Sequence, residues 1–524
     1  MKRFVNRAGF RRAFLSFFGF FLIVCFLSAE IRLPSIIGDN MVLQQDQPLK
    51  IWGWADPGEK ISVALAGQKG QAVADAQGRW QVTLKPMKSG QGPLRMTVNG
   101  TKSDSVVANN ILLGEVWVCS GQSNMEWSML LTHSPTPEIL RADHPQIRLF
   151  QVPRKTAPEP QEDVDAEWKV CSPETVGPFS AVAYYFGREL HQKLGVPVGL
   201  VNSNWGGTRI EPWTPISGFE SVPELASIIK EIDSAEEDYR KKVENLLPEL
   251  EKWLNAARTA LSNGTNIPAQ PEMPRHSVDN RQSPTALYNG MIHALTSFAI
   301  RGAIWYQGEA NRNDGLIYAK KMEALIKGWR NVWKAGDFPF YYVQLAPFNY
   351  AFSPGEEGND VPDFFRLPLI WESQLEVLKM RNTGMAVITD ITNLYDIHPR
   401  NKKDVGYRLA LWALARTYGK KDLVYSGPIY RSMTVEDGRI RIHFDHAGSG
   451  LTSLNHQPPS WFEIAGKDRT FYKARAEIDG KTVLVWNERV EEPVAVRFGW
   501  HQLAVPNLGN KEGLPASPFR TDRW

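Results

Sequence analysis

Between residues 108 and 422, short apolar runs alternate with stretches of helical periodicity, and this alternation limits the fold more than any other feature of the chain. The apolar runs are Val116–Cys119, Val198–Asn202, Ala303–Tyr306, Phe340–Leu345 and Met385–Thr389. The helical stretches are Ala181–Lys193, Ile317–Trp333, Pro368–Lys379 and Lys402–Tyr418. A strand that is apolar on both faces needs cover on both, and helices between the strands supply it. The pattern predicts an α/β unit on a parallel sheet. Glu220–Asn263 breaks the alternation: it is charged and helical by pattern. It reads as an inserted helical hairpin, with the polar, Pro-rich run that follows as its return loop, the whole spanning about 217–283.

The flanks have a different period. Residues 30–107 alternate apolar and polar side chains, with turn signals such as Asp56-Pro57-Gly58 and Gln77-Gly78, which predicts a small N-terminal β-sandwich. Strand patterns return over 423–524, where Asp437-Gly438 and Asp479-Gly480 mark hairpins, so this part is expected to be β-rich. A chain of 524 residues is too long for one core, consistent with such a division.

The first 29 residues read as a signal peptide: Lys2, Arg3, Arg7, Arg11 and Arg12 precede the apolar run Phe14–Leu27, and Ser28 and Ala29 offer a cleavage site. The expectation is a periplasmic or secreted protein with no membrane span after cleavage. A net charge of +3 gives no electrostatic case for nucleic acid. Cys119 and Cys171 remain after processing, and sequence leaves their pairing open. No Cys/His spacing resembles a zinc site.

Parallel sheets carry their chemistry in loops at the carboxyl ends of strands. "GEVWVCSGQSNMEW" (114–127) places Ser123 just after such a strand. A serine needs a base to take its proton and donors to hold an oxyanion. "VNSNWGGTRIEPW" (201–213) follows another strand, and Gly206 or Gly207 lets the backbone come close and present an N–H. "IWYQGEAN" (304–311) offers the Gln307 amide beside Glu309. "YDIHPRNKKDVGYRLA" (395–410) sets His398 in a loop before a helix, with Asp396 two residues earlier. The Gly-x-Ser-x-Gly elbow is absent, because position 125 is Met.

Four ordered strand-end motifs, "GQSNM", "WGGTRIEPW", "WYQGEAN" and "DIHPRNK…VGYRLA", resemble the signature blocks of sialate O-acetylesterases and related bacterial carbohydrate acetylesterases, within the SGNH hydrolase superfamily. The resemblance implies a flavodoxin-like three-layer α/β/α core. It implies an exported serine esterase that removes O-acetyl groups from carbohydrates through an acetyl-serine intermediate, with no metal or cofactor. Ser123 would be the nucleophile and His398 the base. The oxyanion donors would be the Ser123 N–H, an N–H at Gly206 or Gly207, and the Gln307 side chain. Two positions depart from the superfamily pattern. Gln307 stands where Asn is usual, and Tyr395 stands where an Asp usually precedes the histidine by three. Asp396 is then the first choice as imidazole orienter, with Glu309 and Asp390 as alternatives. Gln122, Asn124, Trp205, Arg209, Glu309 and Asn311 are candidates for substrate contact. Trp127, Trp205, Trp213 and Trp305 could form a sugar platform or pack in the core. Arg209 could pair with a sugar carboxylate or with Glu211 or Glu309. Substrates from sialic acid to acetylated xylan fit the resemblance; a non-catalytic glycan-binding protein is the reading from another class.

Overall fold

The computed structural model describes residues 30–350 and 364–524; the expected signal peptide, 1–29, lies outside the described residues. The central sheet contains β1 (Val106–Gly121), β2 (His144–Gln151), β3 (Trp168–Cys171), β4 (Val198–Asn204), β5 (Gly302–Tyr306), β6 (Phe340–Val343) and β7 (Thr383–Ala386). Their spatial order is β7-β6-β5-β1-β4-β2-β3. All neighbours are parallel except β3, which runs antiparallel to β2. The predicted apolar runs therefore sit in one sheet, and β1 from Ile111 onward and β4–β7 are buried.

The helices named here are α1 (Ser123–Glu126), α2 (Ala181–Leu194), α3 (Ala226–Asn263), α4 (Ile317–Trp333), α5 (Arg366–Val377) and α6 (Lys402–Trp412). Of these, α2, α4, α5 and α6 cover the two faces of the sheet. On one face, Phe186 of α2 meets Trp117 edge-on at 5.0 Å, and the Trp412 ring of α6 leans over Tyr341 at 6.3 Å. On the other, Trp329 of α4 meets Trp305 at 6.0 Å. Strand alternation explains the split, because Trp117 pairs in register with Gly302 while Trp305 pairs with Ser120, one step out of phase.

β1 is 16 residues long and belongs to two sheets. Its first part pairs antiparallel with Leu94–Gly100, and its second part lies between β4 and β5. Residue 107 thus lies inside a continuous strand, and the N-terminal strands join the core through shared backbone hydrogen bonds. The C-terminal strands form their own sheets around Ile440, Ile442, Phe444, Val483, Val485 and Phe498. Cys119 and Cys171 are both buried free thiols. Among the described residues no helix is long and apolar enough to cross a membrane.

The insertion differs from the expected hairpin. It is one continuous 38-residue helix, α3, with Pro248 inside it. The return carries Pro268, Pro271 and Pro274, which remove the amide donors a second helix would need, so it lies extended against α3. Trp253 Nε1 donates to Pro268 O at 2.8 Å, and His276 packs edge-on against Tyr239 at 4.3 Å. Pro248 is tolerated because its stretch of α3 is exposed to water, which can satisfy the freed carbonyl.

Helix α6 carries the His398 loop, and its Gly406 seats it on α2. A Cβ at Gly406 would lie 2.8 Å from Val182 O and 2.9 Å from Phe186 N. Alanine gains about 0.8–1.0 kcal/mol in helix propensity over glycine. Crowding against backbone costs about 1–3 kcal/mol. Gly406→Ala is therefore expected to lower stability by about 1 kcal/mol, read as a lower urea midpoint; an unchanged or raised midpoint would show that the two helices are not in close contact.

Candidate active site

Ser123 opens α1 directly after β1, at the carboxyl edge of the sheet. Its side chain lines a cavity of about 520 Å³ together with Glu126, Trp127, Arg154, Asn204 and His398. The motif loops after β1 and β5 are held together from below. Gln122 is buried, and its Oε1 accepts from the N–H groups of Gly308 and Ala310 at 3.4 and 3.3 Å. Asn124 is 1% exposed. Its Nδ2 donates to Glu309 Oε1 at 2.5 Å and to Ile397 O at 3.0 Å, and its Oδ1 accepts from Lys402 Nζ. Both amides brace the loops from inside and leave no surface for substrate.

His398 stacks on Trp127, with ring centroids 4.6 Å apart and planes 18° from parallel. The imidazole and the Ser123 hydroxyl share the cavity wall without a hydrogen bond between them among the described residues. Burial lowers the His398 pKa below the usual value, the charge of Lys402 lowers it further, and Asp396 opposes both. Neutral imidazole is the form a general base needs.

The three acid candidates are placed differently. Asp396 Oδ1 accepts the His398 N–H at 2.9 Å and lies 3.6 Å from Nδ1, so it faces the imidazole while fixing its backbone. Asp390 is held by Arg408 through two bonds of 2.6 Å and faces that guanidinium instead. Glu309 is buried behind Asn124, and burial raises its pKa.

The expected oxyanion donors also differ in their surroundings. Gly206 comes so close to Ser123 that a Cβ there would lie 3.3 Å from Ser123 Cβ. Its N–H donates to the Glu126 carboxylate, which also pairs with Arg154. This N–H is therefore directed at an anionic oxygen beside Ser123. Gly207 adopts φ +71°, which favours glycine, and its carbonyl accepts from Gln282 in the return of the insertion. Gln307 is fully buried: its Nε2 donates to Thr208 O at 3.1 Å and to Asn311 Oδ1 at 2.6 Å. Both amide hydrogens are engaged, and Tyr318 donates to its Oε1. Its visible task is to hold the Thr208 loop.

Asn311 and Arg209 belong to the same polar knot, Asn311 buried and Arg209 partly exposed. Asn311 Nδ2 donates to Glu211 and Asp314, and Arg209 pairs with these two acids at 2.8 and 2.9 Å, so its structural partners are Glu211 and Asp314. Burial alone would raise the Glu211 pKa, but Arg209 and Lys321 bring it down to about 2. Trp213 and Trp305 pack in the core, while Trp127 and Trp205 are half-buried at the site. The Arg281 guanidinium lies 5.9 Å from the Trp205 ring, another contact from the insertion.

Sequence reasoning missed Glu126, Arg154, Asn204 and Lys402. Asn204 ends β4, lines the cavity and donates one N–H to Asn202 Oδ1 at 2.6 Å, leaving the second. Its signal was an amide at a strand end just before the glycine pair. Lys402 stands four residues after His398, a one-turn spacing across a helix start.

The acid candidates separate by experiment. Asp396→Asn is expected to lower kcat by about 10- to 1000-fold with the fold intact, given that loss of a triad acid elsewhere costs up to about 10⁴. Asp390→Asn is expected to act on stability, because Arg408 would lose its partner; the cost lies at or below the ~3 kcal/mol of a fully buried pair. Paired kinetics and thermal melts give the answer, and the reverse pattern would make Asp390 the triad acid.

The family model "Carbohydrate esterase, sialic acid-specific acetylesterase" matches residues 113–251 and 272–366. A sialate O-acetylesterase of Rattus norvegicus is 33% identical over 437 residues, 76% of each chain. The mouse sialate O-acetylesterase, from Mus musculus, is 30% identical and covers 93% of this chain and 94% of its own. The crystal structure of a carbohydrate acetylesterase from Xanthomonas citri superposes with a TM-score of 0.78 at 37% identity, covering 94% of this chain and 100% of that one. The chain therefore belongs to the sialate O-acetylesterase family of carbohydrate esterases and is a carboxylic ester hydrolase acting on O-acetylated carbohydrate.

Proposed function

We propose that this protein is an exported serine esterase that deacetylates sugars through an acetyl-serine intermediate. The observation that carries the reading is the single cavity lined by Ser123 and His398, with the Gly206 N–H aimed at an anionic oxygen beside the serine. Ser123 Oγ attacks the acetyl carbonyl and passes its proton to the His398 nitrogen away from Asp396. The tetrahedral oxyanion is held by the Ser123 N–H, unpartnered within its helix as a first-turn amide, and by the N–H of Gly206 or Gly207 once the Glu126 carboxylate yields. The free N–H of Asn204 is a further donor. One such donor contributes about 3 kcal/mol to the transition state. As the intermediate collapses, the bond to the sugar oxygen breaks and His398 returns the proton to it. Water, deprotonated by His398, then releases acetate and restores Ser123. Asp396 orients the imidazole throughout.

The same reading treats 108–422 as a three-layer SGNH-type core between an N-terminal β-sandwich (30–107) and a C-terminal β-rich region (423–524), with the insertion at about 217–283. Strand order supports it. With β2 and β3 set aside, β4-β1-β5-β6-β7 runs 2-1-3-4-5 in chain order, the flavodoxin-like arrangement. Export to the periplasm or medium rests on the pattern of the first 29 residues. Sialic acid is the substrate favoured by the curated relatives, and acetylated xylan the alternative.

Two measurements test this reading. Protein lacking residues 1–29 is expected to release acetate from 9-O-acetyl sialic acid or from acetylated xylo-oligosaccharides, with at least about a 10³-fold loss in Ser123→Ala; equal activity in the folded variant would overturn the assignment. The acid limb of kcat/KM is expected below the ordinary histidine value of 6.5, because His398 must be neutral to act and its folded pKa is lowered. A limb above 6.5 would contradict the burial and Lys402 field assigned to His398.

A further inference from the structure

Lys402 is unusual for its type. It is fully buried, and lysine is rarely so unless a carboxylate pairs with it directly. No such pair exists here among the described residues: its hydrogen bond goes to the neutral Asn124 Oδ1. Its Nζ lies 5.7 Å from the centroid of Trp127, the ring on which His398 stacks, and 5.4 Å from Tyr306. Glu309 lies on the other side of Asn124, and its Oε2 is buried without a partner. A buried cation and a buried carboxylate, bridged by one amide, are costly to fold around. An apolar residue would fill the Lys402 site at lower cost, so anchoring a helix does not account for it.

Asn124 joins the parts that must stay in register. It follows Ser123 directly, holds the carbonyl just before His398, and receives Lys402 from the helix after that loop. We propose that Lys402 is a positioning residue for the esterase reaction: through Asn124 it fixes the Ser123 turn against the His398 loop. Its positive charge also disfavours a second proton on the imidazole. This rests on the roles proposed above for Ser123 and His398. The charged groups around His398 are Asp396 on its own loop, Lys402 on α6, and Glu126 and Arg154 across the cavity. Around Lys402 they are Glu309 and Asp396. Burial lowers the Lys402 pKa to about 7, so the ammonium is present in the acid range where His398 would otherwise take up its proton.

The test is the pH dependence of kcat/KM for acetate release by wild type, K402M and K402R, with Ser123→Ala beside them. K402M is expected to lose about tenfold or more in kcat and to move its acid limb to higher pH; K402R, which keeps the charge, is expected to return the limb toward its wild-type position. A folded K402M with the wild-type limb overturns the proposal. If Ser123→Ala is as active as wild type, the underlying assignment of the nucleophile fails instead. Should K402M not fold, NMR titration of ¹³C-lysine-labelled wild-type protein decides. A Lys402 that is protonated throughout the acid limb supports the proposal, and one already neutral there overturns it.

Discussion

The central constraint is the burial of β1. Its residues from Ile111 to Gly121 are almost wholly excluded from water, and the strand has a parallel neighbour on each side. A strand so placed must be apolar on both faces and must satisfy every backbone N–H and C=O within the sheet. Parallel pairing then brings the carboxyl ends of β1, β4 and β5 to one edge. Ser123, the Gly206–Gly207 turn and the Gln307 loop meet there because their strands do. The other half of β1 ties the N-terminal strands to the same backbone, so the position of Ser123 is coupled to two sheets.

Beneath that edge lies a polar layer. Gln122, Asn124 and Asn311 look like substrate-binding amides and Gln307 like an oxyanion donor when read as a string, yet each is turned inward and bonded to other loops. Strand-end loops expose backbone groups that no sheet neighbour satisfies, and buried amides supply both donors and acceptors for them. Arg209, Glu211, Asp314 and Lys321 bring two cations and two anions close together, so that Glu211, Asp314 and Lys321 are buried with their charges paired while Arg209 stays partly exposed. The groups facing the cavity include Ser123, His398, Trp127, Asn204 and the Glu126–Arg154 pair.

The insertion illustrates a limit of pattern reading. Helical period and charge were visible over Glu220–Asn263, but the number of helices was not. Pro248 could have divided the run; it did not, because that part of α3 is exposed and water can serve the freed carbonyl. The contacts of Gln282 and Arg281 with the Gly207 and Trp205 loop bring the return of this segment to the site. Such contacts between residues more than 70 positions apart leave no trace in local periodicity.

By itself, the sequence determined the elements and the chemistry on offer. Apolar runs and helical spacing determined the parallel core, because burial of both faces admits few other arrangements. Motif order determined which loops would carry a serine, a glycine pair, an amide and a histidine. Tertiary structure decided which way each polar side chain turned. Asp396 faces His398 while Asp390 faces Arg408; Gln307 donates to Thr208 and Asn311; Asn204 and Glu126 reach the cavity. The reason is physical: a buried polar group must find a partner, and its partner is set by contacts across the fold that local sequence does not encode.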